Sequence, residues 1–297
     1  MAAPDLPEPT SERGTSEAEA TNVARWTAHR RRAGDLRERY PFAAELLTLY
    51  LALVDVWDEA ARLVPVDGPD PGGLAPWAAD RVVPAIVKAT EAAGPETLAT
   101  ETRELVDAGP VVDILAAWLA GDGLAPVPRY LARASLYPVL VAMDGSAVAA
   151  ACAHGPRDEM HCPRCGGPPQ LSYRDASGEA LVSARRRLLC ARCGHDWGYT
   201  GSACPSCGET AGSKRTVYAE QRPHAPVIAD GAVPSPSGTM SHLRVEACAT
   251  CSRYVIDVDG GRDPRAVPEV DELVAVPLDL YATEHGLSKI TPNLMGF

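Results

Sequence analysis

Four copies of a two-thiol motif, C-x-x-C, lie within residues 162–251 of this 297-residue chain and take eight of its nine cysteines. In such a turn both sulfurs can face one metal ion while backbone N–H groups donate to them, so two copies supply the four thiolates of a tetrahedral site. The spacing therefore predicts two four-cysteine metal sites. The predicted ligands are Cys162, Cys165, Cys190, Cys193, Cys204, Cys207, Cys248 and Cys251.

The residue that follows each motif supports this interpretation. Gly166, Gly194 and Gly208 follow three of the motifs, where the chain must turn back through positive φ just past the second sulfur. The fourth motif is followed by Ser252 and is the least regular.

Disulfides and a thioredoxin-like redox pair are the competing interpretations of the cysteines. Disulfide frameworks are typical of small secreted domains, whereas this chain is long, 46% hydrophobic and shows no export signal. A redox pair opens a helix after a strand, and one pair is enough for an active site. The spacing therefore favours metal. Cys152 lies outside the motifs in an apolar run and is expected to be a small buried side chain.

Motif spacing leaves open how the four motifs pair. Pairing in chain order places 24 residues between Cys165 and Cys190 and 40 residues between Cys207 and Cys248, and each interval can hold a hairpin. The 10 residues between Cys193 and Cys204 would also suit a single site. We favour pairing in chain order because each site then has its own hairpin.

Other polar residues beside the motifs are weaker candidates for chemistry. His161 and His195 adjoin motifs but are expected to support the ligands or lie on the surface, because eight cysteines already complete two sites. Asp257, Asp259 and Asp263 suggest a hard-metal site, but solvated turn acids are the favoured interpretation. A four-thiolate site has no open position for substrate, and no phosphate loop, nucleophile elbow or H-E-x-x-H motif occurs. The sequence thus predicts a protein that is not an enzyme.

Charge argues against nucleic acid as a partner. The formal net charge is −11 and the isoelectric point about 5.1. Residues 1–150 carry 22 acidic and 13 basic side chains, whereas residues 161–253 carry 7 acidic and 11 basic ones. Eight thiolates with two divalent ions would add about −4, which arginines 185, 186, 187 and 192 are expected to neutralise. No apolar run is long enough to cross a membrane.

The N-terminal half has helical periodicity. Residues 1–22 are rich in proline, glutamate and alanine and are expected to be a disordered tail. The arginines at 30–32 precede further charges and are expected on a solvated helix face. Residues 23–150 form the predicted helical domain, with a loop at 65–76 and Pro138 expected to kink or end the last helix. Its predicted helices span 42–63, 80–92, 95–107, 110–120 and 128–143.

The C-terminal half has strand-like segments separated by turns. They lie at 171–174, 183–189, 215–219, 243–247 and 254–258, and a mobile loop is expected at 230–238. A short helix at 277–284 precedes the tail. The predicted fold is α+β, with an all-α bundle followed by two rubredoxin-like or zinc-ribbon four-cysteine modules, at 158–200 and 201–297, and a C-terminal helix.

Three further features together resemble the formate dehydrogenase accessory protein family, FdhE. They are a helical domain before a Cys-Pro-x-Cys-Gly motif, the segment Leu188-Leu-Cys-Ala-Arg-Cys-Gly-His-Asp-Trp197 with two later motifs, and the ending Lys289-Ile-Thr-Pro-Asn-Leu-Met-Gly-Phe297. The resemblance runs from about residue 25 to the end. It implies a cytoplasmic protein that holds iron through the eight cysteines and helps to mature formate dehydrogenase by binding its catalytic subunit before export.

One alternative function stands beside that expectation. A rubredoxin-like electron carrier or redox sensor would also use iron held by four thiolates, and zinc in place of iron would exclude that role.

The docking surface for a partner is expected in the groove between the helical domain and the ribbons or at the apolar tail. In the tail, Ile290, Leu294, Met295 and Phe297 must pack either on this chain or on a partner.

Overall fold

A computed structural model describes residues 11–65, 68–70, 73–152, 155–175, 185–220 and 240–297, with side chains from residue 20 onward. The predicted loop at 230–238 lies outside the described residues, as do residues 176–184 of the expected hairpin between Cys165 and Cys190. The architecture is a helical N-terminal half, a sheet that carries two four-cysteine clusters, and a C-terminal helix. This arrangement confirms the predicted α+β fold class.

The N-terminal half consists of helices packed around buried aromatic and aliphatic side chains. Trp26, Leu53 and Leu131 are fully buried in this core, and Trp26 contacts Trp57 in a tilted arrangement and Tyr137 edge to face. The helices are α1 (Ser11–Arg39), α2 (Ala44–Leu63), α3 (Leu74–Arg81), α4 (Val83–Ala93), α5 (Glu96–Asp107), α6 (Val111–Ala120), α7 (Pro126–Ala142) and α8 (Gly145–Ala151).

The structure corrects three expectations in this half. Helix α1 begins at Ser11, so residues 11–22 of the expected disordered tail are helical. Alanine, glutamate and arginine favour the helix in this segment, and the packing of the later turns of α1 holds the helix in place. Arg32 is buried and ion-paired and does not belong to a solvated face. Helix α3 lies partly in the predicted loop at 65–76, since its apolar residues Leu74 and Ala78 pack into the core.

Helix α7 passes through Pro138 and ends four residues later. Proline has no N–H to donate to the carbonyl of Ala134, which would leave a buried acceptor unpaired. The indole Nε1 of Trp57 donates to that carbonyl at 2.8 Å. A neighbouring helix therefore replaces the missing hydrogen bond, and the helix does not end early.

All the strands of the described chain join one sheet. They are β1 (Pro169–Arg174), β2 (Arg186–Cys190), β3 (Asp196–Gly198), β4 (Arg215–Ala219), β5 (Leu243–Cys248), β6 (Arg253–Asp259) and β7 (Ser288–Lys289). The order is β3-β2-β1-β6-β5-β4, and β7 pairs with β6. The β1–β2 and β5–β6 pairs are antiparallel, while β1 and β6 run parallel and join the two predicted modules edge to edge.

The two faces of the sheet differ in polarity. Leu171, Val245 and Ile256 lie on an apolar face, which packs against α9 (Pro268–Asp271) and α10 (Val276–Glu284). The opposite face carries a network of ion pairs among the buried or half-buried side chains Arg174, Arg186, Arg215, Arg244, Glu246 and Asp257. Because carboxylates and guanidiniums neutralise each other there, this face stays compact without an apolar layer.

The network overturns two expectations about charge. Asp257 is not a solvated turn acid: it is fully buried in β6, pairs with Arg174 and Arg244, and accepts a hydrogen bond from Ser172 at 2.6 Å. Arg186 pairs with Glu246 at 2.6 Å and is not directed at a metal site. Successive side chains of a strand point to opposite faces of a sheet, so these charged groups lie on one face. The composition of the segments resembles that of turns and did not reveal this alternation.

Among the described residues, no helix has both the length and the apolar character that a membrane crossing requires.

The C-terminal tail packs on this chain. Arg133 donates to the carbonyl of Pro292 at 2.9 Å, and the amide oxygen of Asn293 accepts from the backbone N–H of Met295. Leu294 is buried, whereas Phe297 is 40% exposed. Packing on this chain therefore accounts for Leu294 and leaves Phe297 open to solvent.

Deleting residues 292–297 should lower the free energy of unfolding by at least about 2 kcal/mol, because the deletion exposes the pocket of Leu294 and leaves Arg133 without its acceptor. Thermal and urea unfolding measure the loss. Phe297→Ala is the matched control and should change stability less than the deletion, since Phe297 is 40% exposed. Unchanged stability on deletion, with loss of partner binding, would instead identify the tail as a docking element.

Candidate metal centres

The first cluster consists of Cys162, Cys165, Cys190 and Cys193, and the second of Cys204, Cys207, Cys248 and Cys251. In each cluster the four sulfurs lie within 4.8 Å of one another. The motifs thus pair in chain order, and the favoured pairing is confirmed. Each cluster joins two turns at the same end of the sheet, because Cys190 ends β2 and Cys248 ends β5.

The turns that hold the sulfurs repeat one geometry. In the first three motifs the N–H of the glycine directly after the second cysteine donates to the carbonyl of the first cysteine and closes the turn. Gly166 donates to Cys162 O at 2.8 Å, Gly194 to Cys190 O at 3.2 Å and Gly208 to Cys204 O at 2.9 Å. These glycines have φ of 69°, 64° and 72°. Positive φ is therefore required at this position, as the sequence predicts.

The fourth motif keeps the same turn without glycine. Ser252 has φ of 54° and is the one non-glycine residue with positive φ in the described part of the chain. An L-residue in this conformation is held there by its surroundings at a cost of roughly 1 kcal/mol or more. Ser252 also accepts a backbone hydrogen bond from Ser288 at 2.9 Å, which ties the turn to β7. The irregular motif is thus a full member of its cluster.

Sulfur separations in both clusters suit a tetrahedral ion and not a disulfide. Cys162 and Cys193 are 3.7 Å apart, and Cys165 and Cys190 are 3.3 Å apart. In the second cluster Cys204 and Cys251, and Cys207 and Cys248, are each 3.8 Å apart. Metal–sulfur bonds of about 2.3 Å in a tetrahedron place sulfurs about 3.8 Å apart, whereas a disulfide needs about 2.05 Å.

Electrostatics in the clusters call for a cation. Hydrogen bonds from the other three sulfurs lower the pKa of Cys162, whereas burial raises the pKa of Cys190. In the second cluster burial raises the pKa of Cys204 to about 12. Burial also opposes ionisation of Cys248, but backbone donors at Cys251 and Thr250 lower its pKa to about 7. Four thiolates at these distances become jointly stable only around a positive ion.

The first cluster lies at the junction of the sheet with the helical half. A side chain at Gly194 would meet the Tyr137 hydroxyl of α7 within 2.9 Å, and a side chain at Gly167 would meet the Cys190 sulfur at the same distance. Arg192 donates to Cys165 O at 3.1 Å and stacks over Trp118 at 5.9 Å. Side chains of the helical half, the Arg192 guanidinium and the backbone of two glycines therefore enclose this site.

Residues expected to be accessory lie outside the clusters. His161 pairs with Asp158 at 2.7 Å, His195 is half-buried, and neither belongs to a cluster. Cys152 is fully buried, as expected for a small apolar side chain, and burial raises the pKa of its thiol to about 11. Of the four arginines expected to neutralise the thiolates, Arg192 lies beside the first cluster, whereas Arg187 pairs with Asp196.

Sequence analysis missed a third group with metal-ligand chemistry, formed by His242, Asp263 and Asp271. Arg32 of α1 already fills it: the guanidinium pairs with Asp263 at 2.8 Å and donates from Nε to Asp271 at 2.9 Å, and His242 contacts Asp271 at 2.7 Å. A buried arginine thus takes the place of an ion. Asp263 is therefore not a solvated turn acid. The sequence around Arg32 indicates only a helix, and it contains no feature that predicts an ion pair with acidic residues more than 230 positions away.

A cleft of about 480 Å³ opens between α1 and the sheet. Arg25 and His29 of α1 line the cleft together with Asp196 of β3 and Glu269 of α9. His29 contacts Glu269 at 3.1 Å. Burial opposes the charge on Glu269, but the hydrogen bond and charge of His29 and the charge of Arg25 lower the pKa of its carboxyl to about 2. This cleft is the predicted groove between the two halves, and it is large enough for part of a ligand or peptide.

Three curated proteins, each named as an FdhE homologue, are similar in sequence. That of Aquifex aeolicus is 27% identical over 137 residues, which cover 46% of this chain and 42% of the relative. That of Pseudomonas aeruginosa is 30% identical over 134 residues, covering 45% and 38%, and that of Stutzerimonas stutzeri 27% over 172 residues, covering 54% and 50%. The chain thus spans half or less of the length of the curated relatives it matches. No family model matches the chain.

A solved structure shares the fold. The crystal structure of the FdhE protein from Pseudomonas aeruginosa matches with a TM-score of 0.62 at 20% identity, over 91% of this chain and 94% of that one. At this identity the match shows the fold alone. With the three sequence relatives, it confirms the resemblance to FdhE that the motifs predict.

Proposed function

We propose that this chain, which resembles the FdhE proteins in sequence and fold, is a metal-binding accessory factor in the maturation of formate dehydrogenase. The observation that carries the proposal is the sequence similarity to FdhE homologues from three organisms. The role in formate dehydrogenase maturation is inferred from the cysteine motifs and the C-terminal segment, which resemble those of the formate dehydrogenase accessory protein family. The factor acts without catalysis, in the cytoplasm, by binding the catalytic subunit.

Two four-cysteine clusters support the metal-binding part of the proposal. The eight predicted cysteines have the sulfur spacing and turn geometry of two tetrahedral sites, and a four-thiolate site holds its ion without an open position. Such ions stabilise a fold and present no reactive water. The chain is therefore suited to recognition of another protein.

The cleft between α1 and the sheet supports the recognition part. Its walls combine apolar residues such as Leu189 and Val267 with charged groups, as transient protein interfaces do. Arg25 at the rim has long contacts of 3.5 Å to Glu269 and to the Tyr137 hydroxyl. We place the docking site for a segment of the catalytic subunit in this cleft.

A co-purification experiment tests the proposal. The tagged chain is co-expressed with formate dehydrogenase subunits, and captured subunits are identified by mass spectrometry, while formate oxidation is assayed in cells with and without the chain. We expect capture of the catalytic subunit and loss of activity without the chain. Ala28→Trp, which fills the cleft from α1, should weaken capture, and the exposed Leu63→Trp is the matched control. Full formate dehydrogenase activity in cells that lack the chain would contradict the proposal.

Iron is the metal we propose for both clusters under anaerobic growth, with zinc as the alternative in aerobic preparations, since tetrahedral thiolates accept either ion. Anaerobically purified protein should show a rubredoxin-like visible absorption that bleaches on reduction, and metal analysis should give about two iron ions per chain. Colourless protein with zinc alone would contradict iron and would also exclude the alternative role of electron carrier.

A further inference from the structure

The two clusters differ sharply in their access to solvent. In the first cluster all four cysteines are buried, none more than 1% exposed. In the second cluster Cys204 and Cys248 are buried, Cys251 is half-buried and Cys207 is exposed. Since a ligand must reach the ion before it can replace a thiolate, this difference bears directly on how each site can react.

Structure from several elements closes the first cluster. The backbone of Gly155 packs on Gly166 so tightly that a side chain at Gly166 would meet Gly155 Cα at 2.7 Å. Tyr137 packs on Gly194 from the other side, and Arg164 donates to the carbonyl of Met143 at the end of α7. An outside ligand can reach these sulfurs only if the helical half separates from the sheet, which makes opening a costly event.

The second cluster lies at a corner of the sheet, where the described residues provide fewer such layers. Its Cys204 turn is anchored by the Tyr199 hydroxyl, which donates to Cys204 O at 3.0 Å, and by an exposed hydrogen bond from Thr250 to Glu209 at 2.8 Å. A side chain at Gly208 would meet Met160 only at 3.9 Å. Cys207 is thus exposed while the rest of the sheet stays intact.

We propose that the second cluster is an exchangeable metal site and that the first is a permanent structural one; this inference rests on the proposed metal binding. An external thiolate or a chelating ligand enters at Cys207. The incoming ligand would replace the Cys207 sulfur on a bound ion, and the released thiolate would take up a proton from solvent, so the exchange would need no change of oxidation state. Exchange at this corner needs no separation of the helical half from the sheet.

Zinc release from the purified full chain tests the inference. Protein loaded with two zinc ions is mixed with a chromophoric chelator, and release is followed with time. We expect two phases of one ion each, with rates that differ by at least about tenfold, because the slower ion needs sub-global opening. In parallel, brief alkylation of the zinc-loaded chain, mapped by mass spectrometry, should label Cys207 first and leave the first cluster unlabelled.

Two matched variants assign the phases. Cys207→Ser should remove the fast phase and leave the slow one, whereas Cys165→Ser, the equivalent position in the first cluster, should remove the slow phase. Two ions that leave in one phase, a fast phase that persists in Cys207→Ser, or early alkylation at Cys162 or Cys193 would overturn the inference while leaving metal binding intact. A wild-type chain that binds fewer than two ions would overturn the metal-binding proposal itself.

Discussion

Replacing Cys162 and Cys165 by serine should remove about one of the two bound ions and make the sheet sensitive to protease. Binding of a structural ion by four thiolates contributes about 10 kcal/mol or more, which equals the whole stability of an ordinary domain, about 5–15 kcal/mol. The first cluster is also part of the core that joins α7 to β2, so its loss should destabilise the helical half as well.

The control for this variant is the equivalent change at the second cluster. Cys204→Ser with Cys207→Ser should likewise remove about one ion but cause a smaller loss of stability, because that cluster lies at an open corner of the sheet. Metal analysis, limited proteolysis and thermal unfolding measure the three effects. Full metal content and wild-type protease resistance in Cys162→Ser/Cys165→Ser would contradict a stabilising first site.

Local geometry explains why the cysteine clusters were predictable from sequence. A C-x-x-C turn fixes the relative positions of two sulfurs within four residues, and the glycine after it reports positive φ, which Gly166, Gly194 and Gly208 all adopt. Pairing in chain order followed from the requirement that each site have its own hairpin. These inferences depend on interactions within one turn or one hairpin, for which the sequence carries the information.

Features that depend on distant partners were not predictable in this way. The parallel pairing of β1 with β6 merges two expected modules into one sheet, and it joins strands more than 80 residues apart. Asp257 appeared to be a turn acid because its ion partner Arg174 lies on β1. Pro138 was expected to disturb α7, and the compensating donor, Trp57, lies on α2. In each case a tertiary contact outweighs the local signal.

Replacing Arg32 by leucine should lower the free energy of unfolding by about 3–5 kcal/mol. Asp271 is fully buried, forms an ion pair with the Arg32 guanidinium and contacts His242 at 2.7 Å. Without the guanidinium, Asp271 and Asp263 would lie together as buried or half-buried carboxylates, and removal of one partner from such a group costs far more than an exposed ion pair contributes. Urea unfolding measures the loss.

Two other arginine variants calibrate that result. Arg103 forms an exposed pair with Glu91 at 2.6 Å, so Arg103→Leu should cost less than about 1 kcal/mol. Arg32→Lys keeps the charge but not the planar fork that contacts Asp263 and Asp271 together, and its loss should be intermediate. The difference in free energy of unfolding between Arg32→Lys and Arg32→Leu measures the contribution of the charge, and the difference between wild type and Arg32→Lys measures that of the guanidinium geometry.

Hydrogen exchange then shows whether Arg32 stabilises one helix or the junction of both halves. Its partners lie on α9 and on the segment after β6, more than 230 residues away in sequence, so the pair ties α1 to the C-terminal half. Faster exchange in Arg32→Leu should therefore appear in α1 and in the strands together, because the contact belongs to one cooperative unit. Faster exchange confined to α1, with unchanged urea unfolding, would show that α1 only frays and that the network does not hold the two halves together.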